Sequence, residues 1–546
     1  MDWQFSYNAI PLRATTSPLT YTALSITLLW SIWYLWRFYI IPTLYPHEPR
    51  ILPYWIPYIG HTFSFVRCAE TVYQKANTYF PDTEPYSVIL MGGTTVIIRD
   101  IKDLSSVWRN TSALSYDPFT SRMLMAFGIT PHHVRNLYKP DPARLLHDEK
   151  TRENSLLSCA NPKKLSYMHL QSQWFKTQLL PGEHLNGLLE AYPVFLSRFL
   201  DISMLREGLA GEISSSRCTS GSAGGTSSVT LPLGRFCRYI LAQSAFRTFF
   251  GEELFEIEPE FTRIYQRWED ASWKIFYNFP HFLAPGLQAD RKRVIAALAV
   301  YLDLPESKRK NTAWIFGAMN SELTNLGLPA HDRAGLIMMI CWAINNNAHY
   351  IAFWMFAHIL TNQDLKASVE SEINACFPTP TSDHGCDMEK LSTACPHLNA
   401  LWAEALRLYN FSTAVRKAVD DCSVGSKVIH QGDQVFGPVR NFHLAEGVFG
   451  AGAAKFDYTR FLRNPKIRQA KEYFPFGGGH TLCPGRYFAE REVYLLVAMS
   501  LRRWKMEVTT ADGGVVESPR VPDIRMDLPS LAAAAPAGDL FVTVRT

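Results

Sequence analysis

A glycine-rich loop in the C-terminal part of the chain holds a single cysteine and reads FPFGGGHTLCPGRYFAERE from Phe474 to Glu492. Its three consecutive glycines permit backbone geometries and close approaches that other residues forbid. The helical pattern that starts near Arg486 places Cys483 just before a helix N-terminus, where the dipole and the free N–H groups favour a thiolate. We expect some of those N–H groups to point at the sulfur. A thiolate held in this way is a metal ligand or a nucleophile. The local sequence favours a ligand, since His480 is the one nearby base.

Two further segments carry polar residues at spacings that allow chemistry. Glu404 and Arg407 stand three apart in EALR, so on a helix they share a face and can form an ion pair. On its own this spacing is common and usually marks a solvated pair. The segment MICWAINNNAHYIAFW, from Met339 to Trp354, predicts one long helix. Its flanks are too apolar for an exposed helix, so its three asparagines are expected inside the protein.

The cysteine loop resembles that of a known family. Phe476, Gly479, Cys483 and Gly485 match the F-x-x-G-x-x-x-C-x-G heme-binding loop of the cytochrome P450 enzymes. The resemblance covers nearly the whole chain after the N-terminal segment and is strongest over residues 332–499. It implies the family's fold, mainly α with a smaller β portion (α+β), and heme b as cofactor. It also implies that Cys483 is the axial thiolate of the heme iron, donating electron density for O–O cleavage.

The resemblance assigns a structural role to the ion pair. In FDYTRFL, Arg460 corresponds to the arginine of the family's F-x-P-x-R-F element, with Tyr458 in place of the proline. Glu404, Arg407 and Arg460 are therefore expected to form a network that fixes the heme-side core.

The loop departs from the family at the residue that contacts a heme propionate. The position two residues before the cysteine is usually basic, and here it is Thr481. His480 and Arg416 are the candidates for this contact, with ordinary surface charges as the alternative.

The largest departure lies in the predicted distal helix. The family typically shows a small residue, glycine, any residue, an acid and threonine, where the acid and the alcohol relay protons. Here Ala343 is followed by Ile344 and three asparagines, so Asn346 replaces the acid and Asn347 the threonine. Ala343 and Asn347 would share a helix face. Neutral amides are not general acids, although they can orient water.

This distal pattern resembles the branch that holds the bile-acid sterol hydroxylases and prostacyclin synthase. That branch contains both monooxygenases and an isomerase, so the reaction type stays open. The leading hypothesis is a heme-thiolate monooxygenase acting on a lipophilic small molecule (terpenoid, sterol or polyketide-derived) in secondary metabolite biosynthesis. The alternatives are an isomerase or dehydratase of a peroxide- or epoxide-like substrate, and a non-catalytic heme-binding protein.

The N-terminal segment carries no charge from Ala14 to Trp36 and is strongly apolar. About 20 such residues span a bilayer as a helix. We expect a tail (1–13), a transmembrane anchor (14–41), a proline-rich neck without helix (42–60) and the catalytic domain (61–546). A cleaved signal peptide is the alternative. Arg37 and Arg50 follow the span, a weak bias towards a cytosolic body. The resulting expectation is a single-pass endoplasmic reticulum protein.

The overall composition of the chain indicates a large core and bears on which partners the protein can bind. Hydrophobic residues make up 47% and charged residues 19%, which allows a large core. The net charge of +4 gives no support to nucleic-acid binding. Ten scattered cysteines without C-x-x-C spacing indicate reduced thiols.

The segment TRFLRNPKIRQAKEY is a candidate docking surface for an electron donor. By resemblance the donor is a flavoprotein reductase that supplies electrons from NADPH. Acidic donors would meet the complementary charges of this segment. A generic solvated loop is the alternative. The basic residues are Arg460, Arg463, Lys466, Arg468 and Lys471.

The rest of the body is expected to be helical between residues 104 and 370, apart from a flexible Ser/Gly loop (213–229). Tyr86 to Asp100 predicts a β-hairpin around two glycines. The C-terminal DLFVTVRT predicts a short strand.

Overall fold

The computed structural model describes residues 18–139, 166–209, 228–276, 282, 284–379, 385–526 and 532–545. Over these residues the chain is mainly helical with a smaller β portion, as the sequence predicts. The helices are α1 (Pro18–Leu35), α2 (Ile41–Leu44), α3 (Thr62–Arg67), α4 (Ala69–Tyr79), α5 (Ile101–Arg109), α6 (Asp117–Ala126), α7 (Pro131–Leu137), α8 (Tyr167–Leu179), α9 (Glu183–Phe199), α10 (Ile202–Leu209), α11 (Leu233–Phe250), α12 (Glu253–Ile257), α13 (Phe261–Ala271), α14 (Trp273–Phe276), α15 (Pro285–Asp303), α16 (Trp314–Asn325), α17 (Ala330–Asn345), α18 (Ala348–Thr361), α19 (Gln363–Asn374), α20 (Met388–Thr393), α21 (Pro396–Leu408), α22 (Val439–His443), α23 (Glu446–Phe449), α24 (Thr459–Arg463) and α25 (Arg486–Arg503).

The strands form three sheets. The largest has the order β1-β2-β3-β9-β6-β4, a second has β10-β11-β5, and β7 pairs with β8. Their bounds are β1 (Arg50–Ile51), β2 (Tyr86–Leu90), β3 (Gly93–Ile97), β4 (Leu114–Ser115), β5 (Ser228–Pro232), β6 (Thr413–Ala418), β7 (Cys422–Val424), β8 (Lys427–Ile429), β9 (Gln434–Pro438), β10 (Lys505–Thr509) and β11 (Phe541–Arg545). Short 3₁₀ turns cover Glu306–Lys308, Pro465–Gln469 and Gly479–Thr481.

The predicted hairpin and C-terminal strand are confirmed. β2 and β3 pair antiparallel with Leu90 opposite Gly93, and β11 pairs antiparallel with both β10 and β5. The Ser/Gly loop is shorter than expected at its C-terminal end, because residues 228–229 begin β5 and pair with β11. The rest of that loop, the tail 1–13 and residues 14–17 of the anchor lie outside the described residues.

The N-terminal helix runs further than the sequence predicts. A π-helical turn, Trp36–Ile40, joins α1 to α2, so helix continues to Leu44 and through Pro42. Proline lacks an N–H and clashes with the carbonyl four residues earlier in a regular helix. The wider π turn, in which the Ile41 N–H donates to the Trp36 carbonyl, accommodates it. The start of the predicted neck is therefore helical, and its later part contributes β1.

The largest core cluster joins the helices that frame the candidate site. α18 packs against α11, α21 and α25, and these helices bring together the segments that hold the asparagines, the Glu404–Arg407 pair and the cysteine loop. Trp354 of α18 stacks on Tyr409 with ring centroids 3.9 Å apart, just beyond the end of α21. Burial of these aromatic side chains fixes the relative positions of the three segments.

Candidate active site

The cysteine loop is a tight turn locked to its surroundings. The Cys483 N–H donates to the Phe476 carbonyl at 3.0 Å, and the sulfur precedes α25 by three residues. Gly477 and Gly479 have φ of +75° and +60°, which favours glycine. A Cβ at Gly478 would lie 2.7 Å from the Trp108 ring, so this glycine permits the close packing of the loop on α5. The loop thus has one shape that presents the sulfur.

The electrostatic surroundings of Cys483 differ from the expectation that the helix N-terminus favours a thiolate. Burial raises the pKa of the Cys483 thiol. Hydrogen bonds from the backbone N–H groups of Gly485 and Arg486 to the sulfur, together with the charge of Arg486, oppose that rise without cancelling it. The predicted N–H groups therefore point at the sulfur, but they do not make it a thiolate in the free chain. A bound metal cation would deprotonate it outright, so the site suits a ligand better than a free nucleophile.

Glu404, Arg407 and Arg460 meet in the protein interior. Arg407 Nε and Nη2 donate to the two Glu404 carboxylate oxygens at 2.8 and 2.7 Å, with both side chains fully buried. Arg460 Nε donates to Glu404 Oε1 at 3.2 Å. Arg407 Nη1 also donates to the carbonyls of His443 and Ala453. The network thus ties α21 to α22, α24 and the segment between them.

Arg416 on β6 is buried with 1% of its surface exposed. Its Nη2 donates to Thr481 Oγ1 in the cysteine loop at 2.9 Å, and its Nη1 donates to the Val415 carbonyl. The guanidinium lies 5.4 Å from the centre of the Tyr116 ring. No carboxylate of the described residues lies within the 4.0 Å ion-pair distance of it, and its Nε is buried without a hydrogen-bond partner there. This is a buried positive charge with an open donor.

His480 belongs to the same positive region. Desolvation lowers the pKa of the His480 imidazole, and the charges of Arg416, Lys176 and His169 lower it further, while Asp117 partly opposes them. The two predicted candidates for propionate contact, His480 and Arg416, therefore lie near each other.

The predicted distal helix is interrupted. α17 ends at Asn345, Asn346 is its C-cap, and α18 begins at Ala348 after Asn347. Polar side chains compete with the backbone ladder here. Asn345 Nδ2 donates to the Cys341 carbonyl at 3.0 Å, and the His349 ring bonds the Asn345 carbonyl at 2.9 Å. The expected single helix is therefore wrong, and so is the shared helical face of Ala343 and Asn347.

Asn347 makes a contact that the sequence did not indicate. Its Oδ1 accepts a hydrogen bond from the Ala533 N–H at 3.1 Å. Trp354 Nε1 donates to the neighbouring Ala534 carbonyl at 2.8 Å. The C-terminal segment is thus tied to the helix interruption and to α18. Asn346 is half-buried, and Ala343 is exposed on an otherwise mostly buried helix, so its face borders open space.

The sequence of this chain is similar to those of known proteins. The Cytochrome P450 family model matches residues 349–520. Cytochrome P450 monooxygenase poxD of Penicillium oxalicum is 24% identical over 489 residues, covering 87% of this chain and 90% of that protein. Cytochrome P450 7B1 of Mus musculus is 24% identical over 493 residues, covering 85% of each. Cytochrome P450 734A5 of Oryza sativa subsp. japonica is 34% identical over 146 residues, covering 26% and 25%.

This chain is a cytochrome P450 monooxygenase. The family match includes Glu404, Arg407, Arg460 and the cysteine loop, and it begins two residues after Asn347. The distal asparagines thus lie outside the matched range. Membership implies heme, a reductase as electron donor and a small-molecule substrate.

The residues present in this P450 fit a heme. Burying a charge without a partner is costly, and Arg416 is such a charge next to the cysteine loop. A propionate would supply its counter-charge, and the half-buried Cys483 would supply a sulfur ligand for the iron. An arginine for a propionate and a cysteine sulfur for the iron are the types of side chain that bind a heme.

Sequence reasoning missed two residues that support the loop. Trp108 packs against Gly478 and Gly479 and stacks edge-on against Phe474. His443 donates to the Arg407 carbonyl at 3.0 Å, and its Nε2 accepts from the Phe474 N–H at 3.2 Å. His443 therefore links the ion-pair network to the heme loop. No spacing pattern in the sequence connects either residue to the loop.

Proposed function

We propose that this P450 is a membrane-anchored heme-thiolate monooxygenase that inserts one oxygen atom from O2 into a lipophilic small molecule. The substrate class is terpenoid, sterol or polyketide-derived, and the setting is secondary metabolite biosynthesis. The observation that carries the chemistry is the Cys483 sulfur, half-buried and bonded by two backbone N–H groups just before α25. The relatives of fungal origin that are named monooxygenases support the reaction type.

The chain's own residues hold and orient the cofactor. When bound, heme would supply the iron centre that activates O2, and O2 is the oxidant. Cys483 ligates the iron, while Phe476, Gly479 and Gly485 shape the loop around it. Arg416 and His480 would bind the propionates and so orient the heme. Glu404, Arg407 and Arg460 keep the segments around the loop in place without touching the reacting atoms. For them the support is burial and direct ion pairing.

Ala343, Asn346 and Asn347 are proposed to line the oxygen side. Asn347 Oδ1 accepts from the Ala533 N–H, which leaves the Nδ2 donors and one oxygen lone pair for water. The Asn346 side chain forms no hydrogen bond to another described residue, and it is free to order a water molecule. Both amides can position water without donating an ionisable proton.

The support for anchoring is the N-terminal helix. Pro18–Leu44 is, among the described residues, the one helix long and apolar enough to span a bilayer, with 27 residues. We propose a single pass through the endoplasmic reticulum membrane with the body in the cytosol. This position would give access to substrates dissolved in the lipid.

Electrons would come from NADPH through a flavoprotein reductase that docks on the basic segment that begins at the last residue of α24. The structure removes one member of the predicted set, because Arg460 is buried against Glu404. Arg463 is exposed and paired with Asp457 at 2.7 Å. The docking surface therefore consists of Arg463, Lys466, Arg468 and Lys471, all exposed.

A second candidate function is an isomerase or dehydratase of a peroxide- or epoxide-like substrate. The observation that favours it is the neutral, interrupted distal segment, in which Asn347 Oδ1 accepts a hydrogen bond from the Ala533 N–H. Such chemistry would need neither reductant nor O2.

The experiment compares extracts of a producing host that carries the gene, lacks it, or carries the Cys483→Ser variant, all grown under ¹⁸O2 and analysed by mass spectrometry. A precursor that accumulates in the two inactive strains, and a product one labelled oxygen heavier in the active strain, would support the monooxygenase. A product of unchanged formula, or one that lost water without label, would establish the second candidate. Unchanged extracts would overturn both.

A further inference from the structure

Three cysteines that the proposed activity does not use lie where α19, α20 and α21 come together. Cys376 follows the end of α19, Cys386 precedes α20, and Cys395 is the N-cap of α21. The Cys376 and Cys395 sulfur atoms are 3.5 Å apart, and both residues are buried. A disulfide bond is about 2.0 Å long, so these two sulfurs need only a small approach to form one. We name the three residues the thiol cluster.

Contacts of one glutamate hold Cys376 and Cys395 in this arrangement. The Glu372 carboxylate accepts from the N–H groups of His397 and Leu398 in the first turn of α21, at 2.9 and 3.1 Å. The Cys376 thiol donates to the Glu372 carbonyl at 3.5 Å. Glu372 thus joins the end of α19 to the helix that begins after Cys395. Because this junction is already in place, little further ordering of the chain is needed to bond the two sulfurs.

Cys386 gives the buried pair a route to solvent. It is half-buried and lines an open groove of about 1160 Å³ between α9, α20 and α25. The segment that carries it is tied to the pair, because the Asp387 N–H donates to the Cys376 carbonyl at 2.8 Å. The three thiols also influence one another's pKa: ionised Cys376 would raise the pKa of Cys386, and both would raise that of Cys395. A small oxidant in the groove therefore meets Cys386 first.

The thiol cluster reacts slowly. Burial raises the pKa of all three thiols, that of Cys386 to about 12. The thiolate is the reactive form, and little of it exists at neutral pH. Only sustained exposure to an oxidant therefore converts these thiols. The charged side chains that face them are Glu372, Asp387, Lys390 and Arg502.

We propose that the thiol cluster is a modification site at which hydrogen peroxide forms a disulfide bond between Cys376 and Cys395, with Cys386 as the point of entry. The Cys386 sulfur attacks one peroxide oxygen, the O–O bond breaks, and a sulfenic acid and water form. Cys376 displaces the sulfenic hydroxyl as a second water and bonds to Cys386. Cys395 then attacks the Cys376 sulfur, and Cys386 leaves as a thiol. Two thiols are oxidised, one peroxide is reduced, and the two thiol protons end on the two water molecules.

The disulfide clamps the end of α19 to the start of α21. This helix carries Glu404 and Arg407, whose network supports the cysteine loop. The bond closes the loop from Cys376 to Cys395, about 20 residues long, and so restricts the unfolded chain. The thermal midpoint should therefore rise by about 3 °C. The clamp stabilises the heme-side core under oxidising conditions, and it does not depend on the substrate or the reaction proposed above.

The test treats the full-length ferric holoprotein in detergent with hydrogen peroxide, blocks the free thiols and maps disulfides by mass spectrometry. We expect peptides joined through Cys376 and Cys395. The midpoint of melting, followed by circular dichroism, should rise by about 3 °C and return after dithiothreitol. Free Cys376 and Cys395 after treatment would overturn the inference. The disulfide without a higher midpoint would overturn the clamp.

Variants of each cysteine test the route. Cys395→Ser should stop at the Cys376–Cys386 disulfide, and its absence there would contradict the route. Cys386→Ser should form the Cys376–Cys395 bond severalfold more slowly, and a rate equal to that of wild type would contradict the entry role. Cys376→Ser should form neither bond and so corrects the midpoint for peroxide damage to the heme. Cys422→Ser, which lacks another half-buried cysteine, is the matched control and should behave as wild type. An unaltered ferrous–CO spectrum before treatment shows that each variant folds.

Discussion

Replacing Glu404 by glutamine tests the buried ion-pair network most sharply. The substitution keeps the size of the side chain and removes the charge that both Arg407 and Arg460 share. The glutamine amide would also point donors at guanidinium donors. Arg407 would then rely on backbone carbonyls alone, in a site where neither it nor residue 404 has exposed surface.

The expected loss follows from burial. Removing one partner of a buried ion pair costs about 3–5 kcal/mol, because it leaves an uncompensated charge inside the protein. With an unfolding entropy of about 2.1 cal/mol/K per residue, a 546-residue chain loses about 1.1 kcal/mol per degree. The midpoint should therefore fall by roughly 3–4 °C. Heme release should accelerate, because the network supports the loop through His443.

The assay is thermal unfolding followed by circular dichroism and by the heme absorbance. Arg463→Gln is the matched control: it breaks an ion pair of similar length, 2.7 Å to Asp457, at a site where the arginine side chain is 66% exposed. An exposed pair contributes less than about 1 kcal/mol, so this midpoint should move by no more than about 1 °C. Equal midpoints for Glu404→Gln and wild type, or equal losses in both variants, would refute the reasoning.

Three further predictions concern the propionates, pH and electron transfer. Arg416→Gln should speed heme transfer to apomyoglobin severalfold, since it removes the buried counter-charge, while Lys417→Gln on the other face of β6 should not; equal rates would contradict the assignment. Burial lowers the pKa of His443 to about 3, below its unfolded value of about 6.5, so stability is full above pH 6.5 and is lost as pH falls below it. His443→Gln should lessen the drop in unfolding free energy between pH 6.5 and 4.5 by about 2 kcal/mol, measured by denaturant titration; an identical pH slope would exclude this role. Neutralising Lys466, Arg468 and Lys471 together should slow reduction of the heme by the reductase at low salt, with an unchanged ferrous–CO spectrum. Unchanged stopped-flow reduction rates would reject the docking surface.

Prediction from the sequence succeeded best for features that residues within one short segment determine. The Cys483 loop, its approach to a helix N-terminus and the pairing of Glu404 with Arg407 all follow from spacing within a few residues. The hairpin around Gly92 and the final strand were likewise predictable, because alternation and turn residues are local signals. Arg460 was placed with them by resemblance, and the structure brings it to Glu404.

Long-range contacts set the features that the sequence did not predict. The distal helix stops at Asn345, where the side chains of Asn345 and His349 form hydrogen bonds with backbone carbonyls. In addition, the N–H of Ala533, nearly 190 residues away, donates a hydrogen bond to the Asn347 side chain. The pKa of the Cys483 thiol is raised since burial outweighs the helix N-terminus. Burial and partners of this kind depend on the assembled fold.

The central claim is that Cys483 is the heme ligand, and the most direct measurement is the ferrous–CO spectrum of Cys483→Ser beside wild type and Cys422→Ser. Wild type and Cys422→Ser should show the thiolate-type spectrum, and Cys483→Ser should lose it while keeping its helical circular dichroism. A thiolate-type spectrum in Cys483→Ser would assign the iron to another cysteine and contradict the account.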